Sequence, residues 1–360
     1  MVADPRQVLV VLPVDAPSSL VRGGVYRPLL EHDYRATFSS LYVPRLAAWR
    51  TRVAGLTPPL LRRITTAPFD AAIVGVRAAL TERVLRRVSE MDRIVLVKYF
   101  DASFVQRIRR VSKAKILYDI DDAVWLPEFL GPARFEAMVR AADAVSCDNE
   151  YLRQRVAKHQ PSTFVLRGPV RLLPVPPVKS ARPVVIAWIG SPSTLHYLKN
   201  LHTPLKRLVT SHRDQFVFRI VGAGYAPSQW PQIEGLGLET VSAYDEREMH
   251  RQLADIDVGV FPLNEDENSL GRGILKATLY MSAAVPAVCS AVGELPSFFE
   301  HGRDGCVCAT EDDWYRAFVD LLERPALRRE MGLAGRNKIA REFSIAACYS
   351  VLRQQFLDTP

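Results

Sequence analysis

The residues best placed for chemistry lie in the sequence VVIAWIGSPST, residues 184–194. Its solid apolar run, ending at Gly190, predicts a buried parallel strand. Ser191, Ser193 and Thr194 follow at once, and a leucine-rich helical pattern comes next, with Ser193 or Thr194 placed as N-cap. A strand, a tight turn of small residues and a helix N-terminus direct free backbone N–H groups and the positive end of the helix dipole at one point. We therefore expect this turn to bind an anion.

Composition limits what kind of protein carries this turn. The 360 residues are enough for two domains, and 48% apolar with 24% charged residues is typical of a folded globular chain. No apolar run approaches the roughly eighteen residues that span a bilayer, and the N-terminus lacks a signal-peptide pattern. Cys306 and Cys308 form the one close cysteine pair, without matching partners, so neither a zinc site nor a disulfide framework is predicted. We expect a cytoplasmic protein with no bound metal.

The positive charge is concentrated in one region. The net charge is +8, and residues 41–90 contain nine arginines against three acidic residues, interleaved with apolar side chains such as Trp49. Basic amphipathic segments can lie on anionic lipid headgroups, although a solvated helix face explains the same pattern. Peripheral contact with the inner face of an anionic membrane is therefore one expectation, and a solvated helix face is the other. No motif typical of nucleic-acid binding is present, so nucleic acid is not an expected partner.

Strand-like and helix-like runs alternate along most of the chain. The first half shows this alternation up to residue 168, and the second half resumes it over 184–342. Residues 169–183 carry five prolines and no periodicity, which indicates a linker. We predict an α/β protein of two Rossmann-like, doubly wound domains facing a cleft, with a helical segment at 343–360 that packs back on the first domain. Ligands of such sheets bind at the carboxyl ends of the strands.

Two common nucleotide-binding motifs do not fit. The dinucleotide fingerprint needs three glycines after a strand, but Gly222 and Gly224 are followed by Pro227 at the third position. A phosphate-binding P-loop is absent, as are the sequence motifs of serine and zinc hydrolases.

Several segments of the second half together resemble the retaining GT-B glycosyltransferases, the group 1 type that uses sugar nucleotides. The segments follow that family's order over about residues 184–345: IAWIGSPSTLHYL, FRIVGAGY, DIDVGVFPL, LKATLYMSAAVPAVCSAVGELPSFFEHGRDGCV and REMGLAGRNKIAREFS. The likeness of the first half is thinner and is carried by GGVYRPLL, KILYDIDDAVW and AADAVSCDNEYL. The resemblance implies sugar transfer from a nucleotide diphosphate donor with retention, to a glycan, lipid-linked or small-molecule acceptor.

The resemblance also implies a donor site in the second domain. Lys276 stands where the family has a lysine that contacts the diphosphate, and Arg272 lies near it in the GRG loop. Fixed cations and helix N-termini would stabilise the leaving diphosphate without a metal or another cofactor. The implied donor residues are Gly190, Ser191, Ser193, Thr194, Gly222, Gly224, Tyr244, Arg272, Gly273 and Lys276.

The sequence departs from the family at two positions. The usual pair of glutamates, eight residues apart, falls on Gly271 and Leu279. Three explanations stay open: a different sugar or ribose contact, substitution by Glu265 or Glu267, or a protein that does not catalyse transfer. The alternative function is therefore a partner or scaffold of another glycosyltransferase.

An acidic cluster, Asp119, Asp121 and Asp122, lies at the end of the predicted strand 115–121. The D-x-D pattern could hold a metal and a diphosphate in the other glycosyltransferase architecture, or belong to a phosphatase, although Ala123 does not fit the latter. In GT-B relatives this strand end faces the acceptor. We favour that interpretation: one aspartate orients or deprotonates the acceptor hydroxyl, and the others cap the next helix.

A pair of glycines near the start completes the predicted site. Gly23 and Gly24 resemble the flexible glycine loop that reaches over the donor, where Arg22 or Arg27 would meet phosphate. Gly-Gly is equally a common turn. The resemblance thus implies a metal-independent hexosyltransferase-like enzyme whose catalytic residues are Asp119, Asp121, Asp122 and Lys276.

Overall fold

The computed structural model divides the chain into two compact units. It describes residues 6–12, 22–41, 49–50, 52–53, 61–98, 100, 102–127, 129–176, 183–222, 233–241 and 246–360. One unit runs to Pro169 and also contains Tyr349–Pro360, whereas the other is Val170–Cys348. Residues 343–348 thus belong to the second unit, and residues 177–182 of the predicted linker lie outside the described residues.

The first unit is built on a parallel sheet of six strands. The strands are β1 (Gln7–Leu12), β2 (Arg35–Ser40), β3 (Arg93–Val97), β4 (Lys115–Ile120), β5 (Ala144–Cys147) and β6 (Thr163–Val165). Their order is β2-β1-β3-β4-β5-β6, and every neighbouring pair is parallel. Strands β3, β4 and β5 are almost wholly buried, as expected for a sheet covered on both faces.

Helices alternate with these strands along the chain. They are α1 (Arg27–Asp33), α2 (Arg62–Leu85), α3 (Ala102–Arg109), α4 (Pro132–Ala141) and α5 (Glu150–Ala157). The core of the unit lies between sheet and helices, where Trp125 packs on Phe135 with ring centroids 5.3 Å apart. Strand β4 ends at Ile120, one residue earlier than predicted, so Asp119 belongs to the strand and Asp121 follows it.

The second unit repeats this architecture. Its strands are β7 (Val184–Ile189), β8 (Phe216–Val221), β9 (Leu238–Val241), β10 (Val258–Phe261), β11 (Ala287–Ser290) and β12 (Cys306–Cys308). They are all parallel and lie in the order β12-β11-β10-β7-β8-β9. The predicted class, two doubly wound α/β units, is confirmed.

Most helices of the second unit lie between successive strands along the chain, and the last ones follow β12. They are α6 (His202–His212), α7 (Glu246–Asp255), α8 (Glu267–Leu270), α9 (Leu275–Ser282), α10 (Leu295–Phe298), α11 (Glu311–Glu323) and α12 (Pro325–Glu342). A further helix, α13 (Ile345–Leu352), leads into a π-turn at Arg353–Leu357. None of the described helices is long and apolar enough to cross a membrane.

The segment after β7 differs from the prediction. It is a 3-10 helix, Pro192–Leu201, whose N-cap is Ser191 rather than Ser193 or Thr194, and α6 begins only at His202. Pro192 suits the first position of a helix because it has no N–H that would need a partner. Pro204 has no N–H to donate to the carbonyl of residue 200, which disfavours one continuous α-helix through this point.

The chain's last residues pack on the first unit. The Tyr349 hydroxyl donates to the Leu29 carbonyl at 3.1 Å and lies 3.0 Å from the Asp33 carboxylate. The Arg93 Nε donates to the Phe356 carbonyl at 3.2 Å, and Phe356 and Leu357 are buried. The first unit is therefore closed by the end of the chain.

Candidate functional site

The turn after β7 is held in a close-packed conformation. The Gly190 N–H donates to the Val221 carbonyl at 2.9 Å. A Cβ at Gly190 would lie 2.3 Å from the Trp188 ring and 2.6 Å from Lys276 Nζ, distances that real Cβ atoms do not show. The absence of a side chain at position 190 therefore lets the lysine approach the turn.

The hydroxyl groups of the turn are linked to one another. The Ser191 and Ser193 hydroxyl oxygens lie 2.8 Å apart, and Thr194 Oγ1 donates to the Ser191 carbonyl at 3.0 Å. Ser191 and Ser193 are exposed, whereas Thr194 is buried. The turn thus exposes the hydroxyl groups of Ser191 and Ser193, whereas the Thr194 hydroxyl stabilises the turn itself.

Lys276 comes to this turn from the first turn of α9. Its Nζ donates to Thr194 Oγ1 at 3.1 Å and lies 4.5 Å from the centroid of the Trp188 ring. The ring of Phe261 is 5.7 Å away. Aromatic faces attract a cation, but they replace water poorly as a solvent for it. Burial, and after it the nearby positive charge of Arg272, lowers the pKa of Lys276 to about 7. Lys276 is therefore not an ordinary solvated lysine on a helix surface.

The loop that contains Arg272 joins α8 to α9. Asp266 caps α8 by accepting from the Ser269 N–H at 2.7 Å, and the Ser269 hydroxyl lies 3.1 Å from the Tyr197 hydroxyl. Arg272 Nη2 lies 3.4 Å from Asn268 Oδ1. The local hydrogen bonds of α8 thus hold the arginine loop beside the residue whose pKa it lowers.

The two positions that lack the usual glutamates have different surroundings. Gly271 is buried, and Leu279 packs against the core of the second unit. Glu265 and Glu267, the proposed substitutes, are both exposed. An apolar side chain at position 279 cannot accept a hydrogen bond, so a ribose contact at this place would need another group.

Gly222 supports the turn from the neighbouring strand. Its N–H donates to the Val241 carbonyl at 3.0 Å, and a Cβ there would lie 2.0 Å from the Gly190 carbonyl oxygen. The glycine therefore lets the ends of β7 and β8 meet, and its part in nucleotide binding stays a prediction. Gly224 and Tyr244 lie outside the described residues.

A buried ion-pair network occupies the carboxyl ends of the strands in the first unit. Arg22 Nε and Nη2 donate to the two oxygens of Asp119 at 2.9 and 2.5 Å, and Arg22 Nη1 donates to Asp148 at 2.5 Å. The Ser146 hydroxyl donates to Asp119 at 2.5 Å, and Arg22 also reaches the Leu166 carbonyl. The network thus connects the ends of β4, β5 and β6.

The charges of this network decide its protonation. Burial lowers the pKa of Arg22, but the carboxylates of Asp119 and Asp148 outweigh it and raise that pKa well above its usual value. Burial raises the pKa of Asp148 to about 6, against the opposing effect of Arg22. Arg22 is therefore engaged by two carboxylates, and the expectation that it meets phosphate is not what the structure shows. Its neighbour Arg27 is exposed and pairs with Glu31.

The other two aspartates share one buried lysine. Lys98 Nζ lies 2.8 Å from Asp121 and 3.1 Å from Asp122. Lys98 adopts a left-handed backbone, with φ of 64°, and its N–H donates to the Asp119 carbonyl at 2.8 Å. Neither aspartate caps the next helix, since the N-cap of α4 is Gly131, so that expectation was wrong. The turn at 122–126 closes on its own backbone instead.

The glycine pair near the start lies against the sheet. A Cβ at Gly23 would come within 2.8 Å of Leu12 and 3.0 Å of Val97, and Gly24 begins a short 3-10 turn, Gly24–Tyr26. Gly23 is therefore a packing residue, held next to the fixed side chain of Arg22. A role of this loop over the donor stays a prediction.

Sequence reasoning missed three side chains of these clusters. Ser146 and Asp148 lie in and after β5, in the sequence AVSCD, and Lys98 follows β3. Their positions in the sequence could have indicated them, because polar residues at the carboxyl end of a buried parallel strand lie at the edge of the sheet where ligands bind. Within the described residues, no group of three or more His, Cys, Asp or Glu side chains could hold a metal ion.

Comparison with known proteins identifies the sequence pattern of the second unit. Residues 183–324 match the family model described as "Glycosyl transferases group 1". The match covers less than half of the chain and includes both the turn and Lys276. No curated protein sequence was found to match the chain.

Known structures match nearly the whole chain. HepE of Anabaena in complex with UDP-glucose has 11% sequence identity and a TM-score of 0.67, with 98% of this chain and 100% of that chain covered. Sucrose-phosphate synthase of Thermosynechococcus elongatus has 14% identity, a TM-score of 0.67 and the same coverage. The lipopolysaccharide outer core galactosyltransferase WaaB has 11% identity and a TM-score of 0.65, with 98% and 99% covered. At such identities the likeness shows the fold, which is the GT-B fold of glycosyltransferases.

Proposed function

We propose that this protein transfers a sugar from a nucleotide diphosphate donor to an acceptor, with retention and without a metal. The observation that carries the proposal is the meeting of Lys276 with the Ser191–Thr194 turn, inside the segment that matches the group 1 model. A lysine from one element and a hydroxyl-bearing turn from another form a site for an anion rather than a structural ion pair. The proposed donor is a sugar nucleotide because its diphosphate is the anion that leaves during transfer.

The donor half of the mechanism is electrostatic. Negative charge grows on the diphosphate as the bond to the sugar breaks, and fixed positive groups stabilise that charge. Lys276 supplies an ammonium group when it is protonated, Arg272 adds a guanidinium nearby, and the exposed Ser191 and Ser193 hydroxyls can donate to phosphate oxygens. No cofactor other than the sugar nucleotide is required by these roles.

The acceptor half is proposed for the acidic cluster of the first unit. Asp121 and Asp122 are less buried than Asp119, so they are the carboxylates that an acceptor hydroxyl can reach. Asp119, with both oxygens bonded to Arg22 and one to Ser146, acts as a positioning residue in this proposal. The acceptor is a glycan, a lipid-linked sugar or a small molecule. All five cysteines are free and buried, which fits the proposed location in the reducing cytoplasm.

Calorimetry with UDP-, GDP- and ADP-sugars tests the donor proposal, beginning with UDP-glucose because HepE is known in complex with it. We expect one of them to bind, and Lys276→Ala to weaken that binding by about tenfold to a hundredfold, the value of a charged hydrogen bond. Lys199→Ala, an exposed lysine of the same unit, is the matched control.

Two results would decide against the proposal. If no nucleotide sugar binds, the alternative, a partner or scaffold of another glycosyltransferase, explains Gly271 and Leu279 better. If a donor binds equally well to wild type and Lys276→Ala while Lys199→Ala also has no effect, Lys276 is not part of the site.

A further inference from the structure

Helix α2 presents an apolar face to solvent. Ile64 is 71% exposed and Val74 is 68% exposed, and the alanines at 67, 71 and 78 are exposed as well. The spacing of these five residues alternates between three and four, which places them on one side of the helix. From Ile64 to Ala78 the face is about 21 Å long. Such a face is a common sign of a contact with another apolar surface.

A tryptophan lies beside this face. Arg50 forms an ion pair with Asp70, which shows that residues 49–50 lie next to α2. Trp49 is 55% exposed, and the Arg52 guanidinium carbon lies 5.8 Å from the centroid of its ring. Tryptophan next to arginine is typical of side chains that lie at the level of lipid headgroups.

The C-terminal end of α2 is strongly basic. Residues 77–90 carry four arginines against two acidic residues, and Arg83, Arg86 and Arg87 are exposed. Of the acidic residues, Glu82 pairs with Arg107 of α3. The surface there is thus positive, next to the apolar face on the same helix.

A groove between α2 and α3 gathers several of these charges. It has a volume of about 460 Å³, and its lining includes Arg86 and Arg110, the ion pair of Arg107 with Glu82, and the apolar Leu85 and Val111. Val111 is 52% exposed. Guanidinium groups bind phosphate oxygens well, and the apolar side chains suit the carbon atoms next to a phosphodiester. The groove therefore has the chemistry to hold the headgroup of an anionic phospholipid.

We propose that the face formed by α2, Trp49 and the groove between α2 and α3 docks on an anionic phospholipid bilayer. The apolar residues from Ile64 to Ala78 enter the boundary between headgroups and acyl chains, and the arginines bind lipid phosphates. A second copy of this chain is a poorer occupant because it would bring its own arginines to an already basic surface, and like charges repel.

The placement of α2 gives the docking a consequence for the acceptor. The helix leads into the amino end of β3, so its N-terminal half lies toward the carboxyl edge of the sheet, where Asp121 and Asp122 lie. Docking would hold that edge near the bilayer, which suits a lipid-linked acceptor. This consequence rests on the proposed sugar transfer, whereas docking itself does not.

Flotation of the full chain with vesicles tests the docking. We expect binding to phosphatidylcholine vesicles that contain phosphatidylglycerol, little binding to phosphatidylcholine alone, and weaker binding at high salt. Ile64→Glu combined with Val74→Glu should weaken binding about tenfold or more, because both side chains lose their apolar contact. Arg86→Gln combined with Arg110→Gln should weaken it roughly 30-fold through the lost charge.

The matched control is Arg303→Gln combined with Arg341→Gln, two exposed arginines of the second unit, which should bind like wild type. All changes are at exposed positions, so melting curves should coincide. An equal loss of vesicle binding in the control would show that only the net charge of the protein matters. Unchanged binding of the Ile64→Glu, Val74→Glu variant would show that the apolar face does not contact the bilayer. Either result overturns the proposal. So would a wild-type dimer in solution that Ile64→Glu dissociates. Donor binding measured on the same variants stays at the wild-type level whether or not docking fails.

Discussion

Among the described residues, few groups near Lys276 compensate its ammonium group for the loss of water. Its described contacts are the Thr194 hydroxyl, two aromatic rings and the neighbouring charge of Arg272, and the causes that shift its pKa include no carboxylate. An anion bound at the turn would supply the missing opposite charge. The partly buried position of this lysine, with its lowered pKa, therefore supports the proposed binding of a negatively charged ligand.

The pH dependence of donor binding follows from this pKa. Without ligand, Lys276 loses its proton as the pH rises through about 7, far below the usual value for lysine. A bound diphosphate raises the pKa, so binding above pH 7 takes up a proton. We expect the affinity for the donor to be constant below pH 7 and to fall by up to tenfold per pH unit above it. Calorimetry in buffers of different ionisation enthalpy would count the proton.

Lys276→Arg is the matched variant for this measurement. An arginine stays charged over the whole range, so the affinity of the variant should be independent of pH even if its absolute value differs. A wild-type affinity that shows no pH dependence across pH 7, with no proton taken up, would contradict the proposed role of the lysine charge.

At the scale of elements, one arginine holds three strand ends together. Arg22 joins Asp119 at the end of β4 to Asp148 after β5 and to the Leu166 carbonyl after β6. All three charged groups are buried. Removing the cation would leave two buried carboxylates without their counter-ion, which destabilises a protein much more than losing an exposed ion pair.

Arg22→Met should therefore lower the free energy of unfolding by about 3–5 kcal/mol, as measured by urea denaturation. Arg27→Met is the matched control, because Arg27 follows five residues later and pairs with Glu31 at the surface. We expect the control to change stability by less than about 0.5 kcal/mol. Equal effects of the two variants would mean that the network is not a stabilising element.

The elements also show which features a sequence can predict. The apolar run of β7 predicted a strand that the structure confirms, because burial on both faces of a sheet leaves a local pattern. The Arg22 network leaves none, since Arg22 lies 97 and 126 residues from its two carboxylate partners. The contact of Lys276 with the turn was predictable only through the family resemblance. The 3-10 helix after the turn was not predicted, because the spacing of its leucines fits an α-helix equally well and the effect of Pro192 and Pro204 was not considered.

At the scale of the whole molecule, the two units differ in how many segments of the chain form them. The second unit is one continuous segment, Val170–Cys348, whereas the first is completed by Tyr349–Pro360. The sequence predicted a returning helix but placed its start at 343, because helical periodicity runs on without a break that marks a change of partner. Particular contacts, such as those of Tyr349 with Leu29 and Asp33, show where the return begins.

Phe356 offers a test of this division. Its ring is buried and lies 5.7 Å from the Arg93 guanidinium carbon, at the start of β3, so Phe356→Ala should destabilise the first unit by about 3–5 kcal/mol. Gln355→Ala, the exposed neighbour, is the matched control. Hydrogen exchange read by mass spectrometry should then show faster exchange of the amides of β1 and β3, with those of β7 and β8 unchanged. The second unit should keep its stability because the end of the chain is not part of it. Equally faster exchange in both sheets would instead show that the two units unfold together.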